Sequence, residues 1–165
     1  MIRSFALPGE KRGRNMTKDV LVTISGLQVI EQDSGVEPVE IITAGDYYKK
    51  NNKHYVIYDE IMEGFEGTTK NIIKIWDDCV DITKKGLTNV HMVFEKDKQN
   101  LTCYETPFGS LMVGINATSI QLEEREDDIL LDLKYSLEVN YEHLANCTIK
   151  MEIQSKDSGE FRICS

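Results

Sequence analysis

The stretch DILLDLKYSLEV, residues 128–139, decides the fold. Ile129, Leu131, Leu133, Tyr135, Leu137 and Val139 occupy every odd position, while Asp128, Asp132, Lys134, Ser136 and Glu138 fill the even ones and only Leu130 departs. Period two is the signature of a strand with one dry and one wet face, because successive side chains point to opposite sides of a sheet. CTIKMEI, residues 147–153, repeats the pattern: Cys147, Ile149, Met151 and Ile153 alternate with Thr148, Lys150 and Glu152.

Working outward, punctuation divides the chain from Thr17 into further strands. Val20–Val29 precedes a loop holding Asp33, Ser34, Gly35 and Pro38. Val39–Lys49 and His54–Met62 flank Lys50-Asn51-Asn52-Lys53, a hairpin turn. Thr69–Trp76, Val80–Thr83, Thr88–Phe94 and Leu101–Thr106 follow, separated by acidic or lysine-rich turns. Thr106-Pro107-Phe108-Gly109 predicts a three-residue hairpin solution, with Pro setting φ and Gly taking the left-handed position. Leu111, Val113 and Ile115 line its outgoing strand, and Phe108 at its tip is read either as a binding residue or as a cover for one end of the core. For Tyr141–Asn146 a single helical turn and a loop both stand. About ten short strands at this spacing predict an all-β sandwich or barrel.

Length and composition agree with one globular domain: 165 residues, 41% hydrophobic and 28% charged. The predicted organisation is a segment 1–15, a single domain over 16–155 and a flexible tail over 156–165. The first segment carries Arg3, Lys11, Arg12 and Arg14 against Glu10 alone, on a chain whose formal net charge is −9. Two readings of it stand. It is a disordered basic arm, or translation starts at Met16 and the purine-rich codons of Lys11–Arg14 are a misread ribosome-binding site.

Net acidity speaks against nucleic acid, which needs a basic face. No apolar run has the roughly 18 residues a spanning helix needs, and no signal peptide is visible, so a cytoplasmic protein is expected. Cys79, Cys103, Cys147 and Cys164 form no CxxC pair, and His54, His91 and His143 are equally scattered, which predicts reduced thiols and no metal or other cofactor. GxSxG, P-loop and HExxH patterns are absent, and a non-enzymatic protein is expected. Asp132, Lys134 and Glu138 alternate with the apolar row and are assigned to the wet face.

The run YVIYDEIMEGFEGTTKNIIKI (residues 55–75), TKKG (83–86), YETPFG (104–109) and LDLKYSLEVN (131–140) together resemble the YwiB-like family of small, uncharacterised bacterial proteins. The resemblance spans about Thr17 to Ser155. It implies an antiparallel, up-and-down, calycin-like β-barrel of lipocalin type, with about eight to ten strands, and a Firmicute-like origin. It brings no activity and no catalytic residue. It lends weight to Tyr58, Glu60, Gly67–Lys70, Tyr104 and Tyr135 as recurrent positions. Lys84 and Lys85 stand where an arginine is expected, and a lysine ammonium cannot make a bidentate anion contact.

The site question is whether the barrel interior is full. Tyr135 lies in mid-strand on the dry face, and a buried phenol needs a partner, either a neighbouring protein group or a ligand. Tyr58 and Glu60 share a face with Val56 and Met62, whereas Tyr55, Ile57 and Ile61 share the other, and this segment alone does not say which points inward. An inward Glu60 would be a costly charge retained for function. Trp76 stacks on a ligand or plugs a barrel end. The expected function is binding of a small amphipathic or apolar ligand in the barrel, with Tyr58, Glu60, Trp76, Tyr104 and Tyr135 as contacts. The alternative is a filled barrel that binds a protein partner, or another copy of itself, through exposed residues such as Phe65.

Overall fold

Alternating burial runs along nearly every strand, so each presents one apolar row to a shared interior. A computed structural model describes residues 18–26 and 40–156. The arm or start at 1–15, the loop around Asp33–Pro38 and the tail from 157 lie outside the described residues. The strands are β1 (Asp19–Ser25), β2 (Glu40–Lys50), β3 (Lys53–Ile61), β4 (Thr68–Trp76), β5 (Cys79–Gly86), β6 (Val90–Glu95), β7 (Gln99–Thr106), β8 (Gly109–Glu124), β9 (Asp128–Val139) and β10 (Glu142–Ser155).

Each hydrogen-bonded strand pair is antiparallel, in the order β6-β5-β4-β3-β2-β1-β10-β9-β8-β7. Among the described residues this is an up-and-down barrel of ten strands with a seam between β6 and β7. The seam is stitched at points. Asn89 and Glu105 exchange backbone hydrogen bonds of 2.8 and 2.9 Å, and Asp97 N donates to Ala117 O at 2.8 Å. Between these, Asn100 Nδ2 donates to the Val93 carbonyl at 2.8 Å, satisfying an acceptor that a regular ladder would have paired.

Turn chemistry sets the hairpins. Asn51 (φ 55°) and Asn52 (φ 65°) are both left-handed, the requirement of a two-residue turn matched to strand twist. The Pro107 hairpin is tighter than the three-residue form the sequence predicts. Thr106 pairs directly with Gly109, leaving Pro107 and Phe108 in the loop. Thr106 Oγ1 accepts from Phe108 N and donates to Gly109 O, both at 3.0 Å, which closes the turn locally. Tyr141–Asn146 is neither a helical turn nor a loop. Asn140 (φ 52°) and Tyr141 (φ 72°) make a two-residue turn, and β10 begins at once with Glu142 opposite Val139.

Two bulges explain where the alternation is lost to the eye. Lys134 pairs with Ser119 but Tyr135 with Ala117, so Thr118 is extra and β8 changes parity there. Leu137 pairs with Ala145 but Glu138 with His143, which leaves Leu144 as the extra residue and 46% exposed.

The interior is built from Val20, Val22 and Ile24 of β1, Ile73 and Ile75 of β4, Val80 and Ile82 of β5, and Phe94 of β6. The dry rows of β9 and β10 complete it, with Leu133, Leu137, Ile149 and Ile153 almost wholly buried. One end is closed by a polar clasp. Tyr47 OH bonds His54 Nδ1 at 2.8 Å, and His54 Nε2 meets Glu124 at the far end of β8. This chain crosses between strands that are not neighbours in the sheet. Tyr47→Phe removes one buried hydrogen bond, and the expected cost is about 1 kcal/mol. Urea unfolding should show a lower midpoint at an unchanged slope.

Candidate functional site

Extending each apolar row toward the other end of the barrel turns it polar. The inward residues of β3 are His54, Val56, Tyr58 and Glu60; those of β4 are Thr69, Asn71, Ile73 and Ile75; and β5 carries Val80, Ile82 and Lys84. Parity thus decides the question the sequence left open: the Tyr58–Glu60 face points inward. Three adjacent strands end their inward rows in hydrogen-bonding groups.

Those groups form one network. Lys84 Nζ donates to Glu60 Oε1 at 2.9 Å and to Asn71 Oδ1 at 2.8 Å. Asn71 Nδ2 donates to the same Glu60 Oε1 at 3.1 Å. Asn71 is fully buried, and the Lys84 side chain is only 6% exposed against 35% for Glu60. Thr69 Oγ1 accepts from Thr88 N at 3.3 Å. Close to Lys84 the chain needs glycine: Gly86 sits at φ 144°, and a Cβ there would strike the Thr68 carbonyl oxygen.

Within this paired surrounding, Tyr58 stands out. It is 3% exposed, and among the described residues its hydroxyl is the buried side-chain polar atom without a hydrogen-bond partner. Burial, and then the Glu60 carboxylate, push the phenol well above its ordinary value, so it keeps its proton and is a donor. Tyr104 lies on the inward face of β7, across the barrel. Burial and then Glu60 push its phenol up to about 12.

Tyr135 has what Tyr58 lacks. Its hydroxyl hydrogen-bonds the Cys147 thiol, and its ring meets Phe94 edge-on at 5.0 Å between centroids. Trp76 is elsewhere. It is at the opposite end of β4, on the outward face, with Lys53 Nζ 4.6 Å from its ring centroid. The barrel therefore brings Tyr58, Glu60 and Tyr104 together at one end, with Tyr135 in the same interior, and leaves Trp76 apart.

Above the network is an apolar rim. Phe65, in the β3–β4 loop, and Phe108, in the β7–β8 turn, meet edge-to-face at 5.7 Å. Their strands are separated in the sheet by β5 and β6, so the contact spans part of the barrel mouth. Ile61 and Phe108 are 77% and 82% exposed.

Chemically, this end offers a protonated phenol in dry surroundings beside an internally neutralised ion pair, under an apolar rim. Such a set has the donors to hydrogen-bond a polar group. Lys84, Asn71 and Thr69 were not among the predicted contacts. The signal was present, because continuing the Val80–Ile82 row by two places reaches Lys84, and running the Ile75–Ile73 row backward reaches Asn71 and Thr69.

Residues 22–151 match the model of a family described as a domain of unknown function, DUF1934. The uncharacterized beta-barrel protein YwiB of Bacillus subtilis (strain 168) is 31% identical over 139 residues, covering 83% of this chain and 96% of that protein. The crystal structure of the ywiB protein from Bacillus subtilis superposes with a TM-score of 0.69 at 22% identity, over 85% of this chain and 94% of that one. The barrel seen here is thus also the fold of a solved structure.

Proposed function

The chain belongs to the DUF1934 family of YwiB-type β-barrel proteins, and from that premise we propose that it is a non-enzymatic binding protein. Its ligand is small and amphipathic, with its polar head held at the Tyr58 end of the barrel. The observation that carries this reading is the buried, unpartnered hydroxyl of Tyr58 in a network whose other members are paired. An orphaned buried donor costs about 1–3 kcal/mol, and a bound acceptor removes that cost. Tyr104 and Glu60 complete the head site, and Tyr135 belongs to its floor.

The dry rows below this end support a shallow mode of binding. Ile73, Ile82 and Phe94 fill the barrel beneath the network. The ligand's apolar part therefore runs outward toward Ile61, Phe65 and Phe108 and not down the barrel axis. The same exposed rim favours a second reading, in which it docks a protein partner or another copy of the chain.

A native mass spectrum of the protein purified gently from its own host, compared with its denatured mass, tests both. The expected result is a reproducible adduct of a few hundred daltons, on the order of a small amphipath that fits a pocket of this class, lost on denaturation. A bare multimer would favour the docking reading, and a bare monomer would count against both.

A further inference from the structure

Counting donors against acceptors narrows the ligand class. A lysine ammonium has three donors, and Lys84 uses two of them on Glu60 and Asn71. Tyr58 adds a donor with no partner. On the acceptor side, Glu60 Oε1 already takes bonds from both Lys84 and Asn71. The buried Tyr58 hydroxyl still lacks an acceptor, so the ligand's head must bring one, while Glu60 Oε2 takes part in none of these bonds and can accept from a head that also donates.

Charge then separates the acceptors. Glu60 already balances Lys84 across 2.9 Å. A ligand carboxylate would place a second negative charge beside the first, with one cation between them, in surroundings of low dielectric.

We propose that Glu60 makes this end of the barrel select an uncharged hydrogen-bond acceptor, the carbonyl of an amide or ester, over a carboxylate. The inference rests on the binding-protein reading above. Glu60 acts partly by exclusion: it holds Lys84 and Asn71 in place and repels the anion that Lys84 alone would attract.

The test is calorimetric titration of the full chain at neutral pH with decanamide and with decanoate, which share one apolar body and differ in the head. Wild type is expected to bind decanamide at least about tenfold more tightly than decanoate. In Glu60→Gln the side-chain oxygen still accepts from Lys84 and Asn71, and the new amide can donate. That variant is expected to bind decanoate about tenfold or more tightly than wild type does, while decanamide affinity changes less. Wild type binding decanoate as tightly as decanamide, or Glu60→Gln leaving decanoate affinity unchanged, overturns the inference and leaves the binding reading standing. Failure of wild type and variant to bind either probe counts against that reading and removes the inference with it.

Discussion

Glu60→Ala will destabilise the barrel by about 2–4 kcal/mol, whereas Lys84→Met will cost less, about 1–2 kcal/mol. The two residues form one ion pair, but they are not buried alike: the Lys84 side chain is 6% exposed and that of Glu60 is 35% exposed. Deleting Glu60 strands an ammonium in the interior with only Asn71 Oδ1 left to accept from it. Removing one partner of a buried pair typically costs about 3–5 kcal/mol, and the retained Asn71 bond and the partial exposure of Glu60 reduce that here. Deleting Lys84 instead leaves a carboxylate that reaches water and keeps Asn71 Nδ2 as a donor, and Met refills the volume without a charge, so the main loss is the donor to the buried Asn71 Oδ1.

Urea unfolding of the two single variants and of the double variant measures the asymmetry. The double variant is expected to be more stable than Glu60→Ala alone, because the stranded charge has gone; this coupling is what a double-mutant cycle isolates. Equal losses in the two single variants would mean that the Lys84 ammonium finds solvent, and that the interior network is not dry.

The same asymmetry shows what the sequence could and could not tell. The alternation of Ile129–Val139 and Cys147–Ile153 made the barrel readable, since apolar rows two residues apart have one structural explanation. Where a bulge shifted parity at Thr118, or a tight turn at Asn140–Tyr141 replaced a polar loop, local pattern failed, because the bulge is set by the register with β9 and the turn by two left-handed residues that are not glycine. Tyr58, Glu60 and Tyr104 were legible as an unusual aromatic and acidic set in apolar strands. Lys84 falls in the lysine-rich turn that the sequence predicts after Thr83, and Asn71 lies unremarked within the predicted strand Thr69–Trp76. Their inward direction depends on carrying a row past its last apolar member, which composition does not prompt. Trp76 misled for the opposite reason: a lone tryptophan draws attention by size, yet its even position beside the odd row of Ile73 and Ile75 places it outside.

Tyr58→Phe will raise the melting temperature of the ligand-free protein and weaken its binding of decanamide by about tenfold or more. The opposite signs follow from one atom. The hydroxyl is buried and unpartnered, so its removal relieves a desolvation penalty of about 1–3 kcal/mol while the ring still fills its place against the core. For a domain of this size, each kcal/mol moves the midpoint by about 2–4 °C, which differential scanning calorimetry resolves. When a carbonyl is present, the same hydroxyl becomes the donor that holds it, and Phe cannot supply that bond. A structural tyrosine would behave differently: its replacement would lower stability and leave binding to follow the folded fraction. Tyr135→Phe supplies that contrast within the same barrel. Its hydroxyl already bonds Cys147, so its loss should cost about 1 kcal/mol of stability. A fall in melting temperature for Tyr58→Phe would give the hydroxyl a protein partner and remove the observation on which the binding site rests.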